Sequence, residues 1–352
     1  MEKGEELFDI QEFISIMLQT FSFIDSYANK VKEEKVENNI YIKEENEKFT
    51  DLDYLTQTFL VRVFQKFYSH INIKIIGEET LNEEYDKKVI DKDIPERKEF
   101  LSSIDKISKE KKFNFPSQFN INENKLKNIT NSEISFFLDP IDGTKSLIKK
   151  KFYPVTTLLG ICINNQPFIG FIHFVFEKEN KTYFNFPSQG IYEYTPSLNQ
   201  FEKKEIKYDD NKFNFIISST RATQEMIDFI KTFPNSEYEN ESGLGTKMIR
   251  CLLEDKIYFT TGKNSCGLWD ICAASCLLNE VGTDIICFNG NKVKFVPKKI
   301  LFEHNGVICI IFYCFLLIYI VHIVHILINY GLSPNKLKTF LEHVKKYYSQ
   351  NI

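Results

Sequence analysis

Between Ile134 and Ser146 the chain reads ISFFLDPIDGTKS, an apolar run that stops at Asp139 and presents a second acid, Asp142, three residues later. Pro140 removes an amide donor and Gly143 permits a tight turn, so both carboxylates project from a strand end. Two like charges this close stay ionised only with a cation between them; otherwise one is driven to hold a proton. An all-oxygen set suits Mg²⁺ better than zinc, and the backbone carbonyl of Ile141 is available to join it. Just beyond, the amides of Gly143, Thr144 and Lys145 stand where a helix N-terminus attracts an anion, most naturally a phosphate. Adjoining metal and phosphate sites suit metal-assisted phosphoryl transfer, in which the ion polarises the phosphoryl group and acidifies the attacking water. The competing reading is a strand-ending turn whose two acids cap nearby amides.

Further acids decide between these readings. Gly77-Glu78-Glu79 repeats the form of an apolar strand, a glycine and then carboxylates, with Glu78 the better ligand candidate. Asp53 lies three residues after Thr50, near the start of a predicted helix, where it either caps the helix or orients a water. Trp269, the only tryptophan, precedes Asp270, which opens a helix of small and apolar residues. Each of these acids taken singly also reads as a capping or solvated residue.

The 352 residues suffice for about two domains with a large core. Apolar spacing predicts an amphipathic helix over Phe8 to Val31, a solvated charged connection through Lys48, a helix from Thr50 to Tyr68, and a short strand from Ile71 to Ile76. Leu81 to Ser132, rich in Lys, Glu, Asn and Ser, reads as a partly disordered surface insertion. Strands over residues 156–163, 168–176 and 182–186 form an antiparallel meander. Strands at 213–218 and 256–260 then alternate with helices at 222–232, 245–254 and 270–281, the α/β manner. The domain change is expected between Pro187 and Tyr208, dividing the chain into 1–187, 188–304 and a tail, 305–352.

Basic residues number 44 and acidic ones 48, a net charge of −4, which argues against nonspecific nucleic-acid binding and assigns any anionic ligand to a local site. Eight cysteines form no CxxC pair and no secretory leader is evident, so a reduced, intracellular protein is expected, with Cys272 and Cys276 as buried thiols.

Taken together, Asp53, Gly77-Glu78-Glu79, the hexapeptide Asp139–Thr144 and Trp269-Asp270 resemble the inositol monophosphatase superfamily of Mg²⁺-dependent, lithium-sensitive phosphatases. Lys145 after Gly143-Thr144, the run Ile75–Glu79 and the run Thr50–Gln57 are most similar to its 3'(2'),5'-bisphosphate nucleotidases. The resemblance covers roughly residues 8–300. It implies a layered αβαβα sandwich of two domains with the active site between them. It further implies two or three Mg²⁺ ions on Glu78, Asp139, the Ile141 carbonyl, Asp142 and Asp270, with Asp53 and Thr144 activating the water. Gly243 and Lys247 match the stretch that contacts the nucleotide. The implied reaction is in-line attack of water on the 3'-phosphate of adenosine 3',5'-bisphosphate. One departure is Thr223, where those enzymes carry a histidine shortly after the arginine that is here Arg221. Arg221 itself reads equally as a surface cation or a ligand contact, and His70 and His173 are assigned no role. Two alternatives stand: an inositol monophosphatase or inositol polyphosphate 1-phosphatase, and an inactive nucleotide-binding or membrane-tethered protein.

Val307 to Ile328 contains no Asp, Glu, Lys or Arg and is long enough to cross a bilayer. A membrane anchor is one reading; translated A/T-rich noncoding sequence is the other, since the family ends its last strand here.

Overall fold

The predicted amphipathic helix forms as α1 (Ile10–Lys32), its Asp9 side chain accepting the Glu12 amide. The computed structural model describes residues 8–43, 47–111, 113–116, 119, 133–206, 213–233, 235–261, 266–287, 292–297 and 306–309. After α1 come a short hairpin, β1 (Ile40–Ile42) and β2 (Lys48–Thr50), and then α2 (Asp51–Tyr68). The connection through Lys48 is solvated as expected, with Ile40 and Ile42 exposed, and the structure adds a short strand pair to it.

Strand β3 (Ile73–Gly77) leads to short helix α3 (Glu83–Tyr85), to α4 (Pro95–Ser102) and to β4 (Ile134–Asp142). The region expected to be a disordered surface insertion is thus ordered over its first part. Val89, Arg97 and Phe100 are buried there, and Phe100 packs on Tyr27 of α1 and Phe59 of α2. Sparse but well-spaced apolar residues anchor it despite a polar composition. Residues 120–132 of that expectation lie outside the described residues.

Helix α5 (Thr144–Ile148) follows β4, and then β5 (Thr156–Ile163), β6 (Gln166–Phe174) and β7 (Thr182–Phe186) form the predicted meander. β8 (Gly190–Thr195) and β9 (Gln200–Lys204) extend it, giving a seven-stranded sheet in the order β3-β4-β5-β6-β7-β8-β9. The first sheet therefore runs on to Lys204, and a boundary at 187 would cut the β7–β8 pairing. β10 (Phe213–Ser218), α6 (Gln224–Ile230), β11 (Ser236–Glu241), α7 (Leu244–Glu254), β12 (Ile257–Thr261), α8 (Leu268–Glu280), β13 (Ile285–Cys287) and β14 (Gly306–Cys309) complete the order. The second sheet runs β11-β10-β12-β14-β13.

Alternation along β4 explains the layering. Phe136 and Leu138 face α1 and α2, whereas Phe137 faces the cluster of α7 and α8. That second cluster also takes in Ile216 and Tyr258 of the second sheet, whose other face carries Phe215, Ile217 and Phe259 against Met226 and Ile230 of α6. The layers are therefore α, β, α, β, α. Gly160 and Gly170 let α8 lie close on β5 and β6: a Cβ at Gly170 would fall 2.2 Å from the Ala273 carbonyl oxygen.

Cys272 and Cys276 are buried and free. His173 is buried, its Nε2 2.7 Å from Asp25 and its Nδ1 2.9 Å from the Thr182 hydroxyl. The first residues of the apolar tail, Val307 to Cys309, belong to β14 and pair with β12 and β13. Residues 310–352 lie outside the described residues, and among those described no helix is long and apolar enough to cross a membrane.

Candidate active site

β4 pairs with β5 in regular register until Asp139 faces Leu158, but Asp142 faces Thr156. Three steps on one strand against two on the other leave one extra residue in β4. In an unbroken strand residues three apart point to opposite faces; the extra residue brings both acids to one cleft. The Ile141 amide donates to Asp139 Oδ1 at 3.0 Å, so the local turn also uses its acid as a cap. Gly143 then takes φ +93°, where a side chain is strained.

β3 runs parallel to β4 and ends level with it, Gly77 opposite Leu138. The Glu78 amide continues the ladder to the Leu138 carbonyl at 2.9 Å, which sets Glu78 beside Asp139. From the other side comes Asp270, third residue of α8, which spends one oxygen on the Gly267 amide at the helix start. Carboxylate oxygens of Glu78, Asp139 and Asp270 lie within 4.8 Å of one another. Burial, then the charges of Glu78, Asp142 and Asp270, hold the Asp139 carboxyl well above the usual carboxylate range. Burial and Glu78 likewise push Asp270 up to about 8. Such a trio is neutralised either by protons or by a cation, and its all-oxygen donor set fits a hard divalent ion.

Asp142 stands apart from the tight trio. Its Oδ2 accepts the Gly245 amide at 2.7 Å and the Thr156 hydroxyl at 3.1 Å, joining β4 to the first turn of α7. Burial raises its pKa, against the lowering influence of Lys247.

Asp53 and Thr144, 91 positions apart, meet directly, Oγ1 donating to Oδ1 at 2.7 Å. Asp53 Oδ2 accepts the Thr50 amide at 2.9 Å and the Thr50 hydroxyl, so one oxygen caps α2 and the other faces the site. The capping and catalytic readings of this residue are compatible, as they are for Asp270. Burial pushes the Asp53 carboxyl up to about 6. Thr144 Oγ1 also lies 3.0 Å from the Ile141 carbonyl oxygen.

These groups open into a cleft of about 420 Å³ between the two sheets. Lys145 lines its rim, exposed. Gly243 has φ +70°, and a Cβ there would fall 2.1 Å from the Pro154 carbonyl oxygen, so only glycine fits this wall. Lys247 is buried, its ammonium 5.4 Å from the centre of the Tyr258 ring, and burial lowers its pKa. Arg221 lines the cleft as well.

Sequence reasoning missed two contributors. Tyr258 is an ordinary strand residue until the second sheet places it in the cleft. Lys43 sits 2.7 Å from Glu79 Oε1 and 3.5 Å from Glu78 Oε1. Its charged surroundings in sequence mask it; the only signal is the Ile40-Tyr41-Ile42 triplet, too short to mark a strand.

The sequence profile described as the inositol monophosphatase family matches residues 10–309. The chain belongs to the inositol monophosphatase family. It is 25% identical over 186 residues to inositol monophosphatase 3 of Xenopus tropicalis, covering 50% of this chain and 48% of that protein. It is 25% identical over 240 residues to human 3'(2'),5'-bisphosphate nucleotidase 1, covering 63% of this chain and 66% of that protein. The chain spans about half the length of the inositol monophosphatase 3 relatives it matches. Among solved structures it is similar to an IMPase/NADP phosphatase complexed with NADP and Ca²⁺ (TM-score 0.61, 13% identity, 89% of this chain and 95% of that one). The layered α/β architecture is thus that of the inositol monophosphatase family, and the acids described above lie within the matched span.

Proposed function

We propose that the protein is a Mg²⁺-dependent, lithium-sensitive phosphomonoesterase that removes the 3'-phosphate of adenosine 3',5'-bisphosphate, giving AMP and phosphate. The observation that carries this reading is the convergence of Glu78, Asp139 and Asp270 beside the Thr144–Asp53 pair, in a cleft of about 420 Å³. That volume lies in the range of small-molecule sites.

Glu78, Asp139, Asp270, the neighbouring Asp142 and the Ile141 carbonyl are assigned to two or three Mg²⁺ ions. When bound, such ions neutralise charge on the phosphoryl group and acidify the attacking water. The chain's own part is proton handling. Asp53 Oδ1 fixes the Thr144 hydroxyl hydrogen, leaving Oγ1 lone pairs to accept a proton from a water beside the phosphate. As Thr144 takes that proton it passes its own to Asp53, whose pKa of about 6 lies near working pH. The amides of Gly143, Thr144 and Lys145 are assigned to the phosphate, and Gly243 and Lys247 to the remainder of the substrate.

A second reading, an inositol phosphate as substrate, is favoured by Thr223 in place of the nucleotidase histidine and by the relatives named inositol monophosphatase 3. Phosphate release from adenosine 3',5'-bisphosphate and from inositol 1-phosphate, each with Mg²⁺, with added Li⁺ and with EDTA, separates the two. Release is expected from the nucleotide, dependent on Mg²⁺ and suppressed by lithium; activity indifferent to EDTA overturns both. Asp142→Asn is expected to abolish turnover while keeping the fold, since shape is retained and charge removed.

A further inference from the structure

Arg97, in the segment whose composition reads as surface insertion, is 0% exposed. Its Nη1 donates to the Val89 carbonyl at 2.8 Å, and its Nη2 to the Glu37 carbonyl at 3.3 Å and to the Asp51 carboxylate. Asp51 Oδ2 also accepts the Asn39 amide at 2.8 Å and the Asn39 side chain at 2.9 Å. Asp51 Oδ1 accepts the Tyr41 hydroxyl at 2.8 Å. One carboxylate therefore joins the first turn of α2, the entry to the β1–β2 hairpin and the segment carrying α4.

Two of those elements end in the active site. Two residues after Asp51 stands Asp53, bonded to Thr144; two residues after Tyr41 stands Lys43, against Glu79 and Glu78. The returning strand brings Glu47 and Lys48 to the cleft. A buried ion pair is weak support for stability, because desolvation offsets its attraction, and packed apolar residues would hold the elements together as well. What apolar residues lack is direction: charge-assisted bonds from four separate donors to the Asp51 carboxylate fix the relative position of three backbones.

We propose that Arg97 and Asp51 are positioning residues for the reaction, setting the hairpin and the Asp53 end of α2 against the carboxylate cluster. The proposal rests on reading that cluster as a phosphatase site. The hub reaches the water-activating side; Asp139 and Asp270 stand on β4 and α8, and Glu78, just after β3, meets the hairpin only through Lys43 at 3.5 Å.

The full chain carrying Arg97→Met tests this. The turnover number for phosphate release is expected to fall by about tenfold or more, with KM changed by less than about threefold, because small misplacements act on the chemical step. Mn²⁺ titration followed by the fluorescence of Trp269, next to Asp270, is expected to stay within about threefold of wild type, since the cluster's elements are untouched. Tryptic cleavage after Lys48 is expected to accelerate by about tenfold as the hairpin loses its tether. Arg97→Lys should recover part of the turnover. Should Arg97→Met fail to fold, Tyr41→Phe removes one donor and leaves the ion pair; about threefold effects in the same directions are expected. Wild-type turnover and wild-type cleavage in either variant overturn the proposal, as does a change confined to melting temperature. If the wild-type protein releases no phosphate from any ester, the phosphatase reading fails, and the cleavage and Mn²⁺ measurements still decide whether the hub places the hairpin.

Discussion

Asp51 and Asp139 are equally hidden from water, at 0% and 2% exposure, yet their surroundings are opposite. Asp51 meets a guanidinium, two nitrogens of Asn39 and a phenol, so both of its oxygens have donors. Asp139 meets Glu78, Asp142 and Asp270, and burial together with these charges pushes its proton affinity up. The first cluster carries its own cation within the chain. The second concentrates negative charge that Lys43, Lys247 and Arg221 offset only in part, the Lys43 ammonium lying closer to Glu79 than to Glu78. Acids given a counter-charge within the chain tie the scaffold together, and the crowded acids of the cleft make the donor set that the proposed function assigns to an external ion.

Neutralising one acid from each cluster sets the two at odds. Asp270→Asn is expected to lower phosphate release by about a thousandfold, the scale of losing a principal electrostatic group, without loss of stability in EDTA. Asp51→Asn is expected to cost about 3 kcal/mol of folding free energy in urea melts, because it leaves Arg97 buried without its counter-charge. If the stability losses were exchanged, the distinction between the clusters would be wrong.

Mg²⁺ at about a hundred times its dissociation constant is expected to raise the unfolding free energy by about 2.7 kcal/mol, and to do much less for Asp270→Asn. A calorimetric melt with and without the ion checks it. Gly243→Ala, which forces a Cβ against the Pro154 carbonyl at positive φ, is expected to cost about 2 kcal/mol and to weaken substrate binding through the displaced start of α7. Last comes the pH response, a slope rather than a step. Asp270 and Glu79 move from 3.8 and 4.5 up to about 8 on folding, chiefly through burial, so the folded state holds more protons between these values. In EDTA, stability is therefore expected to fall as pH rises from about 4 to about 8, by at most about 1.4 kcal/mol per pH unit for each proton released. With Mg²⁺ present the slope should flatten, and urea midpoints at several pH values measure both.

Much of the fold was legible because its signals are local. The apolar spacing of α1 and α2, the alternation in β5 to β7 and the strand-ending glycines each depend on residues within a few positions of one another. β11 was not legible: SEYENE carries no apolar alternation, and backbone pairing with β10 makes it a strand. β1 and β2 are three residues each, below the length at which periodicity speaks. The segment around Arg97 misleads because composition counts charges without saying which are paired.

The site divides the same way. Taken alone, the sequence determines the acids, their places at strand ends and helix starts, the glycines that permit the turns, and the chemistry an oxygen-rich cluster can do. Only the tertiary structure decides that Glu78, Asp139 and Asp270 share one space while Asp142 leans toward α7, that Tyr258 reaches the cleft and Lys43 meets Glu78 and Glu79, and that Arg97 completes Asp51. Turns and caps are settled between close neighbours in the chain, whereas a meeting of distant charges exists only after two sheets and their helices have packed, when burial gives each charge its effect.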